Sequence, residues 1–367
     1  MGFAEFLGNE RVVRALRGML QRERVPSAML FTGPPGIGKY TLARMFAQAA
    51  NCERLRDDFC GACDSCVRIA PLADPAPLIE AGLAERGESA SAAEVERTPL
   101  ILETHPDVWV IVPDPVRLRN PVARPMIRVG QLRAVQRAAC FRPQSRRRVF
   151  ILDGADTMRW TDADVFLKIL EEPPECATLI LLSPNADALL PTIRSRCLQF
   201  HFAPVPVDAI EKFMKENGAG KSTADRKLAA QLSGGCPGAA LTLDGAASGH
   251  LRRTILTLLD RAAKGERYGE IFAATAQLAK QEQESFENIL ALFYSLLTDL
   301  LEVAQGPESS LPRNPDLRRE VESLGTRVDW EWVQRATRGL DTLSGRLRRN
   351  ASRQLGLDAV LAPLKVG

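Results

Sequence analysis

Over roughly the first 200 residues, short apolar runs alternate with amphipathic stretches, the pattern of an α/β domain around a mainly parallel sheet. Beyond Pro204 the strand signals stop and apolar residues recur every three and four positions, which predicts an all-α remainder. Within the first part a glycine-rich loop joins an apolar run to a helical pattern, the strand, turn and helix order of a phosphate-binding loop.

Taken in order, the predicted strands are 28–32, 108–112, 148–152, 178–183 and 197–202, largely apolar runs too short for helices. Helices are predicted at 40–50, 130–139 and 162–170. The last follows Thr161, an N-cap residue by type, and stops before Pro173 and Pro174, which cannot continue a helix. Residues 70–100 are rich in Ala, Pro, Glu and Ser without a periodicity that predicts a core element, and read as an insertion or mobile loop. Three helices are expected in 207–243, then a longer bundle whose clearest member is 282–304. The predicted domains are 1–205, carrying an insertion at about 70–104, then a small helical domain at 206–245 and a larger one at 246–367.

At 367 residues the chain exceeds one hydrophobic core, and 45% hydrophobic with 25% charged residues is the composition of a globular protein. A net charge of +3 is too small to decide between partner classes, but a chain that grips nucleic acid by itself more often carries a strongly basic stripe, so any DNA contact is expected to be shared with partners. The first residues show no charged lead before an apolar signal core, and no run of about 18 apolar residues occurs, which predicts a cytoplasmic protein.

Gly33, Pro34, Pro35, Gly36, Ile37, Gly38 and Lys39 form the Walker A pattern. Glycines let backbone amides turn toward phosphate oxygens, the following helix adds its positive N-terminal end, and Lys39 can reach the outer phosphates. The other reading is a tight glycine-rich turn without a ligand. After Lys39 the pattern expects Ser or Thr, whose hydroxyl ligates Mg²⁺, but Tyr40 stands there. Thr41 is rotated by roughly 100° and does not simply replace it. The apolar run 149–152 ends in Asp153, as a Walker B strand does, yet Gly154 occupies the place of a water-polarising Glu. The candidate nucleotide-binding residues are Gly33, Gly36, Gly38, Lys39, Thr41 and Asp153, for ATP or ADP with an incomplete Mg²⁺ coordination set. Hydrolysis by the chain itself is expected to be poor or absent.

Cys52, Cys60, Cys63 and Cys66 cluster while Cys140, Cys176, Cys197 and Cys236 are scattered. Two short loops and a spacer can bring four thiolates to the corners of a tetrahedron, and a closed four-sulfur shell points to structural zinc. An iron–sulfur cluster and a redox Cys-x-x-Cys are the alternatives. The scattered four read as small buried hydrophobes.

With these motifs stand His105-Pro106-Asp107, the run Leu167-Lys168-Ile169-Leu170-Glu171-Glu172-Pro173-Pro174, and the stretch from Leu189 through Ser195-Arg196-Cys197. Together they make the first 200 or so residues resemble AAA+ subunits of the bacterial replicative clamp loader. The resemblance implies a RecA-like domain, a helical lid and a helical collar that joins a five-membered ring with gamma/tau-type and delta-type subunits. It implies a ring that places the sliding clamp on primed DNA, and an arginine, here Arg196, that completes the ATP site of a neighbour. Pro237 and Gly238 stand where an active member offers a sensor arginine, a third departure beside Tyr40 and Gly154. This pattern favours a non-hydrolysing member over the active gamma/tau-type ATPase, which is the alternative. His105 lacks an accompanying nucleophile and is expected to serve a loop. The basic runs Arg142 to Arg148 and Arg346 to Arg349 are candidate phosphate contacts or solvated faces.

Overall fold

A computed structural model describes residues 2–87, 91–115, 125–159, 162–220, 222–243, 245–265, 268–280, 286–305, 313–347 and 352–365. Thr161 and residues 348–349 of the second basic run therefore lie outside the described residues. The six strands among the described residues are β1 (Ala28–Thr32), β2 (Ile101–His105), β3 (Val108–Ile111), β4 (Arg148–Leu152), β5 (Ala177–Ser183) and β6 (Leu198–His201). They form one sheet in the order β2-β3-β4-β5-β1-β6, parallel throughout except for the β2–β3 pair. Every residue of β1, β4 and β5 is buried, which is why these central strands read as unbroken apolar runs rather than as alternation.

Around the sheet run α1 (Glu10–Gln21), α2 (Lys39–Asn51), α3 (Asp64–Ile69), α4 (Ala76–Arg86), α5 (Ala92–Arg97), α6 (Val129–Ala139), α7 (Ala163–Glu171) and the short α8 (Pro191–Arg194). Beyond β6 the chain is helical: α9 (Val207–Glu216), α10 (Thr223–Leu232), α11 (Pro237–Thr242), α12 (Gly245–Lys264), α13 (Tyr268–Ala279), α14 (Phe286–Gln305), α15 (Arg318–Gly325), α16 (Trp330–Leu347) and α17 (Arg353–Leu361). The predicted α/β half and all-α remainder are both present. None of the described helices is long and apolar enough to cross a membrane.

Two compact units divide the chain, Met1–Phe213 with Gly235–Ala239, and Met214–Gly234 with Ala240–Gly367. In the first, Leu30, Phe150, Leu179 and Leu181 from the sheet pack with Leu132, Val135, Phe166 and Ile169 from α6 and α7. In the second, Ile255, Leu258, Phe293, Leu296, Trp332 and Leu340 build a helical core. A buried Arg252 crosses that unit, donating to Asp316 at 2.6 and 3.0 Å and to Asn314 at 3.3 Å.

The structure adds elements that the sequence pattern does not predict. The stretch 70–100 holds α4 and α5, with Leu72, Val95 and Leu100 buried, and is tied down by polar contacts. Arg86 pairs with the buried Asp114 at 2.8 Å and donates to the carbonyl of Thr98 at 2.8 Å. Glu96 accepts the amide of Gly130 at 2.6 Å at the start of α6. Residues 101–105 form β2, with His105 at its end rather than in a loop.

Candidate functional site

The phosphate-type loop leaves the C-terminal end of β1 and enters α2 at Lys39. Its ammonium folds back onto the loop, donating to the carbonyls of Gly33 at 2.6 Å and Pro34 at 2.9 Å. Burial lowers the pKa of Lys39 below the ordinary lysine value, opposed by the carboxylate of Asp153. Burial raises that of Asp153, opposed by Lys39, so the Walker-type lysine and aspartate share one desolvated place at the ends of β1 and β4.

Each departure from the active pattern has a structural counterpart. The phenol of Tyr40 donates to the carbonyl of Leu72 at 2.6 Å, so its hydroxyl fastens α2 to the chain after the cysteine module instead of facing a cation. Thr41 is exposed on α2. Gly154 sits at φ +72°, and a β-carbon there would lie 2.9 Å from the ring of Pro113, so a glutamate cannot be accommodated without strain. At Pro237 and Gly238 the chain itself lies on the loop: Gly238 donates its amide to the Gly36 carbonyl at 2.8 Å. A β-carbon on Gly36 would come within 2.8 Å of the Ala239 nitrogen. Asp156, two residues past Gly154, has one buried carboxylate oxygen without a hydrogen-bond partner among the described residues.

Arg196 lies in the turn between α8 and β6. Because β6 runs parallel to β1, with Met29 opposite Leu198 and Thr32 opposite His201, Arg196 precedes one end of this strand pair and the loop leaves the other. The four residues of β6, at about 3.3 Å each, separate them by roughly 13 Å along the sheet. Arg196 is exposed and is held by Glu171 and the carbonyl of Thr192. Its neighbour Arg194 pairs with Asp187.

Cys52 closes α2, Cys60 and Cys63 flank a turn, and Cys66 lies on α3. Their four sulfur atoms all lie within 4.8 Å of one another, and none is in a disulfide. A tetrahedral zinc with bonds of about 2.3 Å needs sulfurs roughly 3.8 Å apart, so this donor set fits the ion. Backbone amides of Leu55, Ala62 and Cys63 point at Cys52 and Cys60 sulfurs at 3.3–3.5 Å, and those of Ala62 and Cys63 help bring the Cys60 thiol down to about 6. At Cys60 that environment favours thiolate, the metal-binding form, whereas burial raises the Cys66 thiol.

His105 and Asp107 are buried and structural. The histidine ring contacts the hydroxyls of Ser65 and Ser145 at 3.3 Å, while the Asp107 carboxylate accepts the amides of Gln144 and Ser145 and pairs with Arg148 at 3.0 Å. Of the first basic run only Arg148 is buried, while Arg142 and Arg146 are exposed. Arg146 holds the carbonyls of Cys52 and Leu55, Arg147 donates to Thr178, and Arg148 is buried against Asp107 and Ala138. Of the scattered cysteines, Cys197 and Cys236 are buried as expected, but Cys140 and Cys176 are exposed. Burial pushes the Cys197 thiol up to about 12, which makes it a packing group beside Arg196.

Comparison with known proteins follows this geometry. Residues 8–206 match a family model described as DNA polymerase III, delta subunit. The DNA polymerase III subunit gamma/tau of Mycobacterium bovis is 30% identical over 264 residues, which are 69% of this chain and 39% of that protein. The DNA polymerase III subunit delta' of Bacillus subtilis is 27% identical over 202 residues, 55% of this chain and 49% of that one. This chain thus spans about two fifths of the mycobacterial relative it matches. A gamma subunit-related protein of Thermotoga maritima aligns over 96% of this chain and 98% of its own, at 18% identity and a TM-score of 0.38.

Proposed function

The chain belongs to the DNA polymerase III delta-subunit family, and on that premise we propose that it is a delta-prime-type subunit of the replicative clamp loader. In this reading it hydrolyses ATP poorly or not at all and supplies Arg196 to the ATP site of a neighbouring gamma/tau-type subunit. Its ring, with a delta-type subunit as a further member, loads the sliding clamp onto primed DNA. Residues 206–245 serve as lid and 246–367 as collar.

The observation that carries the reading is the position of Arg196. An exposed guanidinium at the start of β6 stands at the wrong end of the sheet for the chain's own phosphate loop. Supplied across an interface, its rigid fork of donors suits the charge that develops on a transferring phosphoryl group. Tyr40, Gly154 and the segment around Pro237 and Gly238 support the second half, since each lacks a group that an active site of this type uses. Zinc in the four-cysteine module would hold the chain between α2 and α3 and supply no chemistry, because four thiolates leave no open position.

One observation favours the alternative, a gamma/tau-type ATPase: Asp156, one of whose oxygens has no partner among the described residues, stands close enough to Asp153 and Lys39 to influence both. Purified protein alone separates the two. Steady ATP turnover that disappears in Lys39→Ala selects the ATPase, while turnover at background level selects the silent subunit.

A further inference from the structure

The loop between Cys52 and Cys60 holds a second segment of the chain in place besides forming the cysteine cluster. Asp58 accepts the amide of Phe3 at 3.0 Å and that of Phe59 at 2.9 Å through the same carboxylate oxygen. The Phe59 ring meets Phe3 edge-on, centroids 5.9 Å apart, and both rings are buried. Asp57 pairs with Arg17 of α1 at 2.7 Å and fixes the same loop from the other side. From Phe3 a single 3-10 turn, closed by the Phe6 amide on the Phe3 carbonyl at 3.1 Å, sets the position of Phe6. The edge of the Phe6 ring lies 3.0 Å from where a β-carbon of Gly38 would stand. Gly38 is the residue immediately before Lys39, at the mouth of the phosphate-type loop.

A continuous path of contacts therefore runs from the cysteine cluster through Asp58 and Phe59 to Phe3, and from Phe3 through Phe6 to Gly38. Phe3 alone accounts for the buried apolar anchor. Phe6 is only half-buried, and what it covers is a glycine whose lack of a side chain otherwise leaves the backbone open to a ligand. We propose that Gly2–Phe6 is a lid on the phosphate loop, latched by the cysteine module, so that a metal in the four cysteines keeps the loop covered and its loss opens the loop to a nucleoside triphosphate. The last step rests on the reading of this loop as a nucleotide site, whereas the latch itself does not.

Amide hydrogen exchange on the full chain, metal-loaded and after chelation, tests the latch. Chelation is expected to speed exchange at Phe3 and Phe6 by about tenfold or more, the scale of one hydrogen bond to a carboxylate, with β4 and β5 unchanged. Unchanged exchange at Phe3 and Phe6 in a folded, metal-free chain overturns the proposal. Should chelation unfold the domain, Asp58→Ala cuts the same latch with every cysteine in place, and the same two outcomes decide. A fluorescent ATP analogue tests the lid: Phe6→Ala, metal retained, is expected to bind it about tenfold more tightly than the parent chain, since a site that must first be uncovered loses affinity in proportion. Equal affinity of the two chains sinks the lid. If neither binds the analogue, the lid also falls with the nucleotide reading, while the exchange experiment still decides the latch.

Discussion

Arg196 donates to Glu171 at 2.8 Å from one nitrogen of its guanidinium and to the carbonyl of Thr192 at 3.0 Å from another. The two signature stretches, one ending in Glu171-Glu172-Pro173-Pro174 and the other in Ser195-Arg196-Cys197, thus meet at a single side chain. The pair is substantially exposed, 36% for Arg196 and 51% for Glu171, so it contributes at most about 1 kcal/mol to stability. What it fixes is the direction of the fork. Arg196→Lys keeps the charge and loses that geometry. It is expected to leave the melting temperature within a few degrees of the parent while lowering hydrolysis by a reconstituted partner at least about tenfold, a fraction of what trans arginines supply. Full stimulation by the lysine variant would show that charge alone suffices.

Asp107 is fully buried and accepts from Gln144, Ser145 and Arg148 at once. Asp107→Ala strands a buried arginine and two amides, and is expected to cost about 3–5 kcal/mol in a urea unfolding curve. A cost below about 1 kcal/mol would mean that water replaces the carboxylate and that the His105-Pro106-Asp107 turn is not the anchor described.

The sheet was legible because its central strands are buried on both faces: β1 and β4 coincide with the predicted 28–32 and 148–152, and the other three predicted strands differ by one residue at one end or at each. β2 was not, since its residues include Glu103 and Thr104 and one side of it has no strand neighbour among the described residues. The helices of 70–100 escaped for a related reason. α4 buries no residue deeply, and its place is set by the long-range pair Arg86–Asp114, which no local periodicity reports. At the site, residue types were readable but partners were not. That Tyr40 would find Leu72, Arg148 would find Asp107, or Gly238 would seat on Gly36 depends on contacts between residues 32, 41 and 202 positions apart. The first basic run keeps an exposed Arg142, as a charged face does, but sequence shows charge and not the carbonyls and the Asp107 carboxylate that engage Arg146 and Arg148.

The cysteine module is expected to hold about one zinc per chain, with Cys63→Ser losing the metal and destabilising the first unit. Metal analysis beside thermal unfolding checks both. An iron-rich, coloured preparation would point to a cluster instead.

Repairing single positions is not expected to revive hydrolysis. Tyr40→Ser restores a hydroxyl but removes the bond to Leu72, at a cost of about 1 kcal/mol or more, and leaves Gly154 without a carboxylate. Gly154→Glu places a side chain at φ +72° against Pro113 and is expected to cost about 1–2 kcal/mol. ATP turnover by the double variant should stay at the level of the parent, and a rise of tenfold or more would contradict this account of the two positions.

Asp153 gives a pH signature. Burial raises its pKa, so the folded chain holds that proton more tightly than the unfolded chain, and this group's contribution to stability declines as pH rises through the folded value. Asp153→Asn mimics the protonated form. It is expected to raise the melting temperature at neutral pH, with the gain fading as pH falls into the carboxylate range. A loss at neutral pH would show that attraction to Lys39 outweighs desolvation.

The most direct test reconstitutes the chain with a gamma/tau-type ATPase, a delta-type subunit, the sliding clamp and primed DNA, and compares the parent with Arg196→Ala. The account predicts that the variant folds and assembles normally while clamp loading and partner hydrolysis fall at least about tenfold, and up to the about 10³ to 10⁵ that such arginines can supply. Unchanged hydrolysis and loading by an assembled ring would show that Arg196 does not serve a neighbour's site.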